Sequence, residues 1–320
     1  MTLRILCPLD QREDATAVAR VAASVARRLE ARLLLAHVIE PIATTPADRG
    51  AQQVLAVHAR EFLERTAREA GCGEWAQAAV RIGDPGFALE HLAGRWRADL
   101  VICGSHGRRS FRATLLGSVP RRLIKRSGRA MIVVSPQASK RWHDGEPDDA
   151  TMRSIVCGVD GSMVGFEAAE AAGHIAARLG ARLALVHAYL PVAPVGFTTP
   201  PHKMLDVGTL TESERRSRMR LLSRAATLAS DQTEVTAVIR EDEVVPALEW
   251  VAEEQRAGLI VVGSRGRAQL LSTVLGSTSA RLAVSASRPV LVIRAGHGAR
   301  LRPPNTTTEV GLSPRRVQDR

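Results

Sequence analysis

Two stretches of the chain carry the same spacing of glycine and serine: Gly104, Gly107, Gly117 and Ser118, and again Gly263, Gly266, Gly276 and Ser277. Each follows a short apolar run, residues 100–103 and 259–262, with the composition of a buried strand. Glycines at the C-terminal end of a strand let successive backbone N–H groups converge on an anion. A Gly-Ser pair opening a helix adds unsatisfied N–H groups, the positive end of the helix dipole and a hydroxyl donor. The chemistry open to such a loop is phosphate binding. A handful of charge-assisted hydrogen bonds at about 1.5–3 kcal/mol each would hold a triphosphate at micromolar dissociation constants, about −8 kcal/mol. Glycines that merely permit tight turns would leave the same pattern, so the spacing alone admits both readings.

Phosphoryl transfer would need more: a carboxylate to hold a metal, and a base or water-positioning group near the terminal phosphate. Between Gly104 and Ser118 stand Ser105, His106, Arg108, Arg109 and Ser110 but no acid. No Walker lysine follows a glycine, no strand-linked G-x-G-x-x-G occurs, and no histidines pair as in a zinc hydrolase helix. The four cysteines, Cys7, Cys72, Cys103 and Cys157, form neither a C-x-x-C pair nor a zinc-type cluster. They are expected to be small buried hydrophobes in a reducing compartment.

The elements that position these loops repeat along the chain. The run RILCPLD ending at Asp10 returns as SIVCGVD ending at Asp160, and ARLLLAH ending at His37 returns as ARLALVH ending at His187. The second copy carries extra residues, which fit best in the Pro- and Gly-rich stretch 190–208. In the first copy, strands are expected at residues 3–9, 33–39, 78–82, 100–103 and 130–135. Helices are expected after the first strand (Val18, Val21, Ala22, Val25 and Leu29 fall at helical spacing), at 52–70, from Asp84-Pro85 to about 96, and at 118–126. Alternating helices and nearly all-apolar strands specify a parallel sheet covered on both faces. Right-handed crossovers make a doubly wound α/β sandwich the simplest topology. The expected domains are residues 1–136 and 151–294, joined by a linker over 137–150 and followed by a disordered basic tail over 295–320.

These residues resemble the universal stress proteins of the UspA type, here as a tandem of two domains over about residues 2–136 and 151–294. The resemblance rests on the G-x2-G-x9-G-S loops, the Asp closing the first strand, and His37-Val38 at the end of the second. It implies, for each half, a five-stranded parallel sheet of order 3-2-1-4-5, adenine nucleotide alpha hydrolase-like, with ATP between strands one and four, with or without magnesium. That is the switch point where open α/β sheets take ligands. By position, Asp10 and Asp160 would face the adenosine, with Pro8 beside the base in the first half and Gly158 in its place in the second. Val38 would line the adenine pocket, and Ala188 replaces it in the second half. Gly104, Gly107, Gly117, Ser118 and Val119 would wrap the phosphates, as would Gly263, Gly266, Gly276, Ser277 and Thr278. His106 and Arg265 occupy equivalent positions beside them.

Both halves depart from the family pattern. After the first strand the family's Asp-Gly-Ser is Asp10-Gln11-Arg12 in the first half but intact as Asp160-Gly161-Ser162 in the second. Pro120 removes a Ser or Thr common after Gly-Ser-Val, which reads as one lost phosphate donor. Gly83-Asp84-Pro85 is intact in the first half and becomes Asp242-Glu243-Val244 in the second, where the carboxylates would either repel phosphate or begin a solvated helix.

Bulk composition narrows the function classes. The 320 residues suffice for two domains, and 45% hydrophobic with 24% charged is ordinary globular usage, which excludes disorder as the main state. No apolar run has the length of a membrane helix, and an acid at Asp10 comes too early for a signal peptide, so a cytoplasmic protein is expected. The net charge of +11 is the excess of 44 Lys+Arg over 33 Asp+Glu, and only Lys125, Lys140 and Lys203 of the 44 are lysine. That charge invites a nucleic-acid reading, centred on the face formed by Arg122, Lys125, Arg126 and Arg129 with Arg121 beside it. Aromatic residues at 3% leave few stacking platforms, and a solvated face or an acidic partner is the favoured account. The expected function is an ATP-binding stress-response module without strong catalysis, at most slow hydrolysis or autophosphorylation. Its nucleotide state would alter contact with a protein partner, and tandem chains could pair as a homodimer. The rival is a tandem scaffold with one or both sites empty and an Arg-rich contact surface.

Overall fold

The computed structural model describes residues 2–11, 14–41, 46–105, 116–144, 152–190, 211–229, 233–265 and 275–296. The first half runs β1 (Arg4–Pro8), α1 (Ala15–Arg28), β2 (Arg32–Ile39), α2 (Pro46–Glu69), β3 (Gln77–Ile82), α3 (Pro85–Arg95), β4 (Leu100–Gly104), α4 (Ser118–Arg126), β5 (Ala130–Val134) and α5 (Pro136–Asp144). The second runs β6 (Ser154–Gly158), α6 (Met163–Leu179), β7 (Arg182–Tyr189), α7 (Glu212–Ala229), β8 (Val235–Glu241), α8 (Val244–Glu254), β9 (Leu259–Gly263), α9 (Ser277–Ser285) and β10 (Val290–Ile293).

Among the described residues, ten strands form one sheet of order β3-β2-β1-β4-β5-β10-β9-β6-β7-β8. Within each half the pairings are parallel and follow the 3-2-1-4-5 order. The central strands are runs of Ile, Leu and Val buried on both faces, as a sheet sandwiched between helices requires. The halves join where β5 and β10 pair antiparallel, with Met131, Ile132 and Val133 opposite Val292, Leu291 and Val290. The last strands that would otherwise lie open as edges therefore cover each other within one chain.

On one face of the sheet a single apolar core passes beneath both halves, from Val18 and Val25 of α1 through Ile132 and Leu291 at the junction to Ala169 and Ile175 of α6. On the other face there are two cores, one under α3 and α4, the other under α8 and α9, and Leu275 packs against both. Small residues set the helix spacing on the shared face. A Cβ on Gly173 of α6 would run into the Ala229 carbonyl at the end of α7, so glycine lets these two helices touch. The turn after α6 uses Gly180 at φ 61°, and the matching turn after α1 puts Glu30 at φ 50°.

The segment expected as a linker begins as a helix. Ser135 accepts a hydrogen bond from the Ala138 N–H at 3.0 Å, Pro136 occupies the first helical position, and Ala138 and Trp142 turn into the shared core. Ser-Pro followed by apolar residues four apart is a helix-start signal that the Asp, Gly and Pro content of the stretch masks. Residues 145–151 lie outside the described residues, as do 191–210 of the expected long loop and the tail beyond 296. At the start of that tail the Gly296 N–H donates to Glu167 Oε2 at 2.6 Å.

Candidate functional site

A cleft of about 1000 Å³ opens at the C-terminal ends of β1 and β4 in the first half. Pro8 and Asp10 leave β1, Val38 and Glu40 come from the end of β2, and Leu89 from α3 closes one side. Gly104 ends β4, and Gly117, Ser118 and Val119 begin α4 across the opening. Every residue expected here from the sequence that lies within the described residues lines this one cleft; His106 and Gly107 lie outside them. Residues that the sequence did not assign to this site also line it: Leu55, His58 and Ala59 of α2, Leu89, Glu40, Asp14, and Arg121 from the expected basic cluster. The periodicity of α2 specifies a helix but not which of its faces meets the strand ends.

The frame of the cleft is fixed by backbone and buried side chains. The His37 Nδ1–H donates to the Leu9 carbonyl at 2.8 Å, tying the end of β2 to that of β1, and its ring meets Phe62 edge-on at 5.6 Å. The second half repeats the bond, from His187 to the Val159 carbonyl at 2.7 Å. His37 in the first half and His187 in the second thus brace the ends of the first two strands. The loop after β4 returns through Gly117 N–H to the Ser105 carbonyl at 2.8 Å, while Ser105 N–H donates to the Val134 carbonyl at 2.9 Å. Gly276, Ser264 and Ile293 repeat both bonds at 2.8 and 2.7 Å.

The starts of α3 and α6 differ from those of α4 and α9, while α1 and α8 begin at Asp14 and Glu243 without a side-chain cap bond. At α3 and α6 a side chain caps the helix: Asp84 accepts from Phe87 N–H at 2.8 Å, and Ser162 accepts from Gly165 N–H at 3.0 Å. At α4 and α9 the cap positions are Gly117 and Gly276, and no side chain caps either helix. Glycine at these positions leaves the first-turn N–H groups to an external acceptor. This arrangement can receive an anion at α4 and an apolar group between the strand ends.

In the second half Asp160, Ala188, Gly263, Gly276, Ser277 and Thr278 stand at the corresponding places at the ends of β6, β7 and β9 and the start of α9; Gly266 lies outside the described residues. Asp160 is drawn into a turn, accepting from both the N–H and the hydroxyl of Ser162 at 3.0 and 2.7 Å. Gly263 is packed against the Val164 backbone, within 3.2 Å of where its Cβ would stand. Arg265 lies near Arg294, whose pKa is lowered first by burial and then by that neighbouring charge. Glu243 is exposed and faces Arg281 at 3.5 Å, the solvated helix start of the two options. The Ser279 hydroxyl, at the position of Pro120, donates back to the Gly276 carbonyl at 3.0 Å and is buried. What Pro120 removes from the first half is therefore a loop brace and a backbone N–H, not an outward hydroxyl.

The basic face expected on α4 is largely engaged within the chain. Arg122 meets Glu90 at 3.4 Å and lies over the Phe87 ring at 3.3 Å, and Arg126 reaches Glu90 at 3.9 Å. Arg129 donates to the Ala98 and Ser127 carbonyls, both at 2.6 Å. All four cysteines are buried and free. Burial pushes the Cys103 thiol at the cleft wall up to about 12 and Cys72 to about 11, and raises Cys7 and Cys157 as well. They are neutral thiols, not nucleophiles. Among the described residues no group of three His, Cys, Asp or Glu side chains is placed to hold a metal, and no helix is long and apolar enough to cross a membrane.

The profile of the universal stress protein family matches residues 1–135 and 151–294. A universal stress protein of Mycolicibacterium smegmatis is 29% identical over 299 residues, spanning 91% of this chain and 96% of that protein. A universal stress protein of Mycobacterium tuberculosis is 32% identical over 200 residues, 62% of each chain. Among solved structures, a universal stress protein from Archaeoglobus fulgidus shares the fold with a TM-score of 0.64 at 19% identity, covering 92% of this chain and 98% of that one.

Proposed function

Since the chain belongs to the universal stress protein family, we propose that it is an ATP-binding regulatory protein that takes its nucleotide in the first-half cleft. The observation that carries this reading is the pairing of an apolar recess at the strand ends with a helix start that no side chain caps, across one cleft of about 1000 Å³. That volume is at the upper end of the usual range for small-molecule sites, about 300–1,000 Å³. Pro8, Val38 and Leu89 offer apolar surface to a base, and Asp10 offers an acceptor to a ribose hydroxyl. Gly104, Gly117, Ser118 and Val119 would hold the phosphates, with His106 and Gly107 from the same loop. The second half offers the same backbone plan through Asp160, Ala188, Gly263, Arg265, Gly266, Gly276, Ser277 and Thr278. ATP, with or without magnesium, would bring its negative charge to the start of α4 and its base to the apolar recess. The function that follows is a cytoplasmic one in which occupancy alters contact with a protein partner, without strong catalysis.

The test is to purify the protein without added nucleotide, denature it, and identify by chromatography and mass spectrometry what is released, with its stoichiometry. Release of ATP near one or two per chain supports the reading. No release, followed by no binding when ATP is added back, overturns it in favour of a scaffold.

A further inference from the structure

We propose that Arg121 recognises the terminal phosphate of a nucleotide in the first-half cleft and makes that half selective for tri- over monophosphates; the inference rests on the nucleotide reading of the cleft. Arg121 lies one turn inside α4 and lines the cleft together with Ser118 and Pro120. Helical side chains lean toward the N-terminus, and residues three and four apart share a face. The Arg121 stem therefore runs alongside Ser118 toward the uncapped start of the helix. Its cationic neighbours on α4 behave differently: Arg122 and Arg126 turn to Glu90, whereas the Arg121 guanidinium forms no ion pair with any described residue.

The repeat supplies a second argument. At the third helical position the first half has Pro120, which lacks an N–H to offer an anion, and the second half has Ser279, which keeps one. At the next position the first half has Arg121 and the second Ala280. One cradle thus exchanges a neutral backbone donor for a cation, and the other does the reverse. A guanidinium at the rim adds most where negative charge is greatest, at the end of a triphosphate, and least for a monophosphate held near the ribose.

The experiment is calorimetric titration of the full-length protein with ATP, ADP and AMP, for the unaltered chain and for Arg121→Ala, Arg121→Lys and Arg126→Ala. The expected result for Arg121→Ala is about tenfold weaker ATP binding at one site, with AMP unchanged. Arg121→Lys recovers part of the loss, and Arg126→Ala, which removes the same charge away from the cleft, behaves as the unaltered protein. ATP affinity unchanged in Arg121→Ala, ATP and AMP weakened alike, or an equal loss in Arg126→Ala would overturn the proposal while leaving the nucleotide reading standing. If the unaltered chain binds none of the three nucleotides, the nucleotide reading falls and this inference with it. Equal circular dichroism and melting of the variants separates a binding loss from a folding one.

Discussion

The Arg294 guanidinium donates to the Lys125 carbonyl at 2.9 Å. Arg294 directly follows β10 of the second half, and Lys125 lies in the last turn of α4 in the first. The reciprocal contact exists on the other side of the junction, where the Ser135 hydroxyl donates to the Ala286 carbonyl after α9. Each half thus ends its last strand on the C-terminus of the other half's loop helix. Through Val134 and Ile293, whose carbonyls hold Ser105 and Ser264, these contacts continue to Gly117 and Gly276 at the two helix starts.

Leu291 is fully buried between Ile132 and Val261 at this junction. Truncation there leaves a cavity on the shared face, so Leu291→Ala should lower unfolding stability by about 2–5 kcal/mol. Urea melts followed by circular dichroism would check it; a loss under about 1 kcal/mol would mean the junction repacks or contributes little.

Gly173→Ala should cost about 1–3 kcal/mol, because the added methyl meets the Ala229 carbonyl and forces α6 and α7 apart. Gly94→Ala, where a Cβ meets nothing within 4 Å, is the control and should leave the melting temperature the same or higher.

Glu30 holds a left-handed backbone at φ 50° where its counterpart is Gly180. Glu30→Gly should therefore stabilise the protein by roughly 0.5–1 kcal/mol, relief of strain exceeding the added entropy of the unfolded chain. A thermal midpoint lower than that of the unaltered chain would show that the turn is not strained.

Glu253 accepts from the buried Arg288 at 2.8 Å and also faces Arg141 of α5 at 3.7 Å. The hydrogen bond and charge of Arg288 lower its pKa below the ordinary 4.5. A carboxylate with a depressed folded pKa contributes stability that is present above its unfolded pKa and is lost as pH falls through the folded one. Glu253→Gln should accordingly lower the melting temperature at pH 7 and flatten its decline below about pH 4.5. Parallel melting curves for the two proteins across that range would refute this.

Ser118→Ala and Ser277→Ala each remove one hydroxyl from a helix start. Loss of a neutral hydrogen bond of about 0.5–1.5 kcal/mol predicts roughly two- to tenfold weaker nucleotide binding in the half that carries the change. Titration of both variants identifies which halves bind, and identical isotherms for both variants and the unaltered chain would place the phosphates elsewhere.

Much of this architecture is legible in the sequence because it is written locally. Asp84-Pro85 and Gly117-Ser118 are helix starts wherever the helix points, and the apolar runs of β1, β4 and β5 can only be buried strands. The repeat of Asp10 at Asp160 and of Gly104 at Gly263 carried the two-domain plan. What escaped depends on where elements land. The face that α2 turns to the cleft, the place of Arg121 in the cleft lining, and the engagement of Arg122 with Glu90 and Phe87 follow from the packing of α2, α3 and α4. Pro120 looked like a missing hydroxyl until the buried position of Ser279 showed that such a hydroxyl faces the loop.

The antiparallel pairing of β5 with β10 has a thermodynamic consequence, because both strands belong to one polypeptide. Two separate single-domain chains meeting through such strands would come apart on dilution, and their melting temperature would follow protein concentration. Here the partner strand is tethered, its effective concentration set by the connecting chain and not by expression level. The two halves thus keep a fixed one-to-one ratio at any abundance of the protein in the cell.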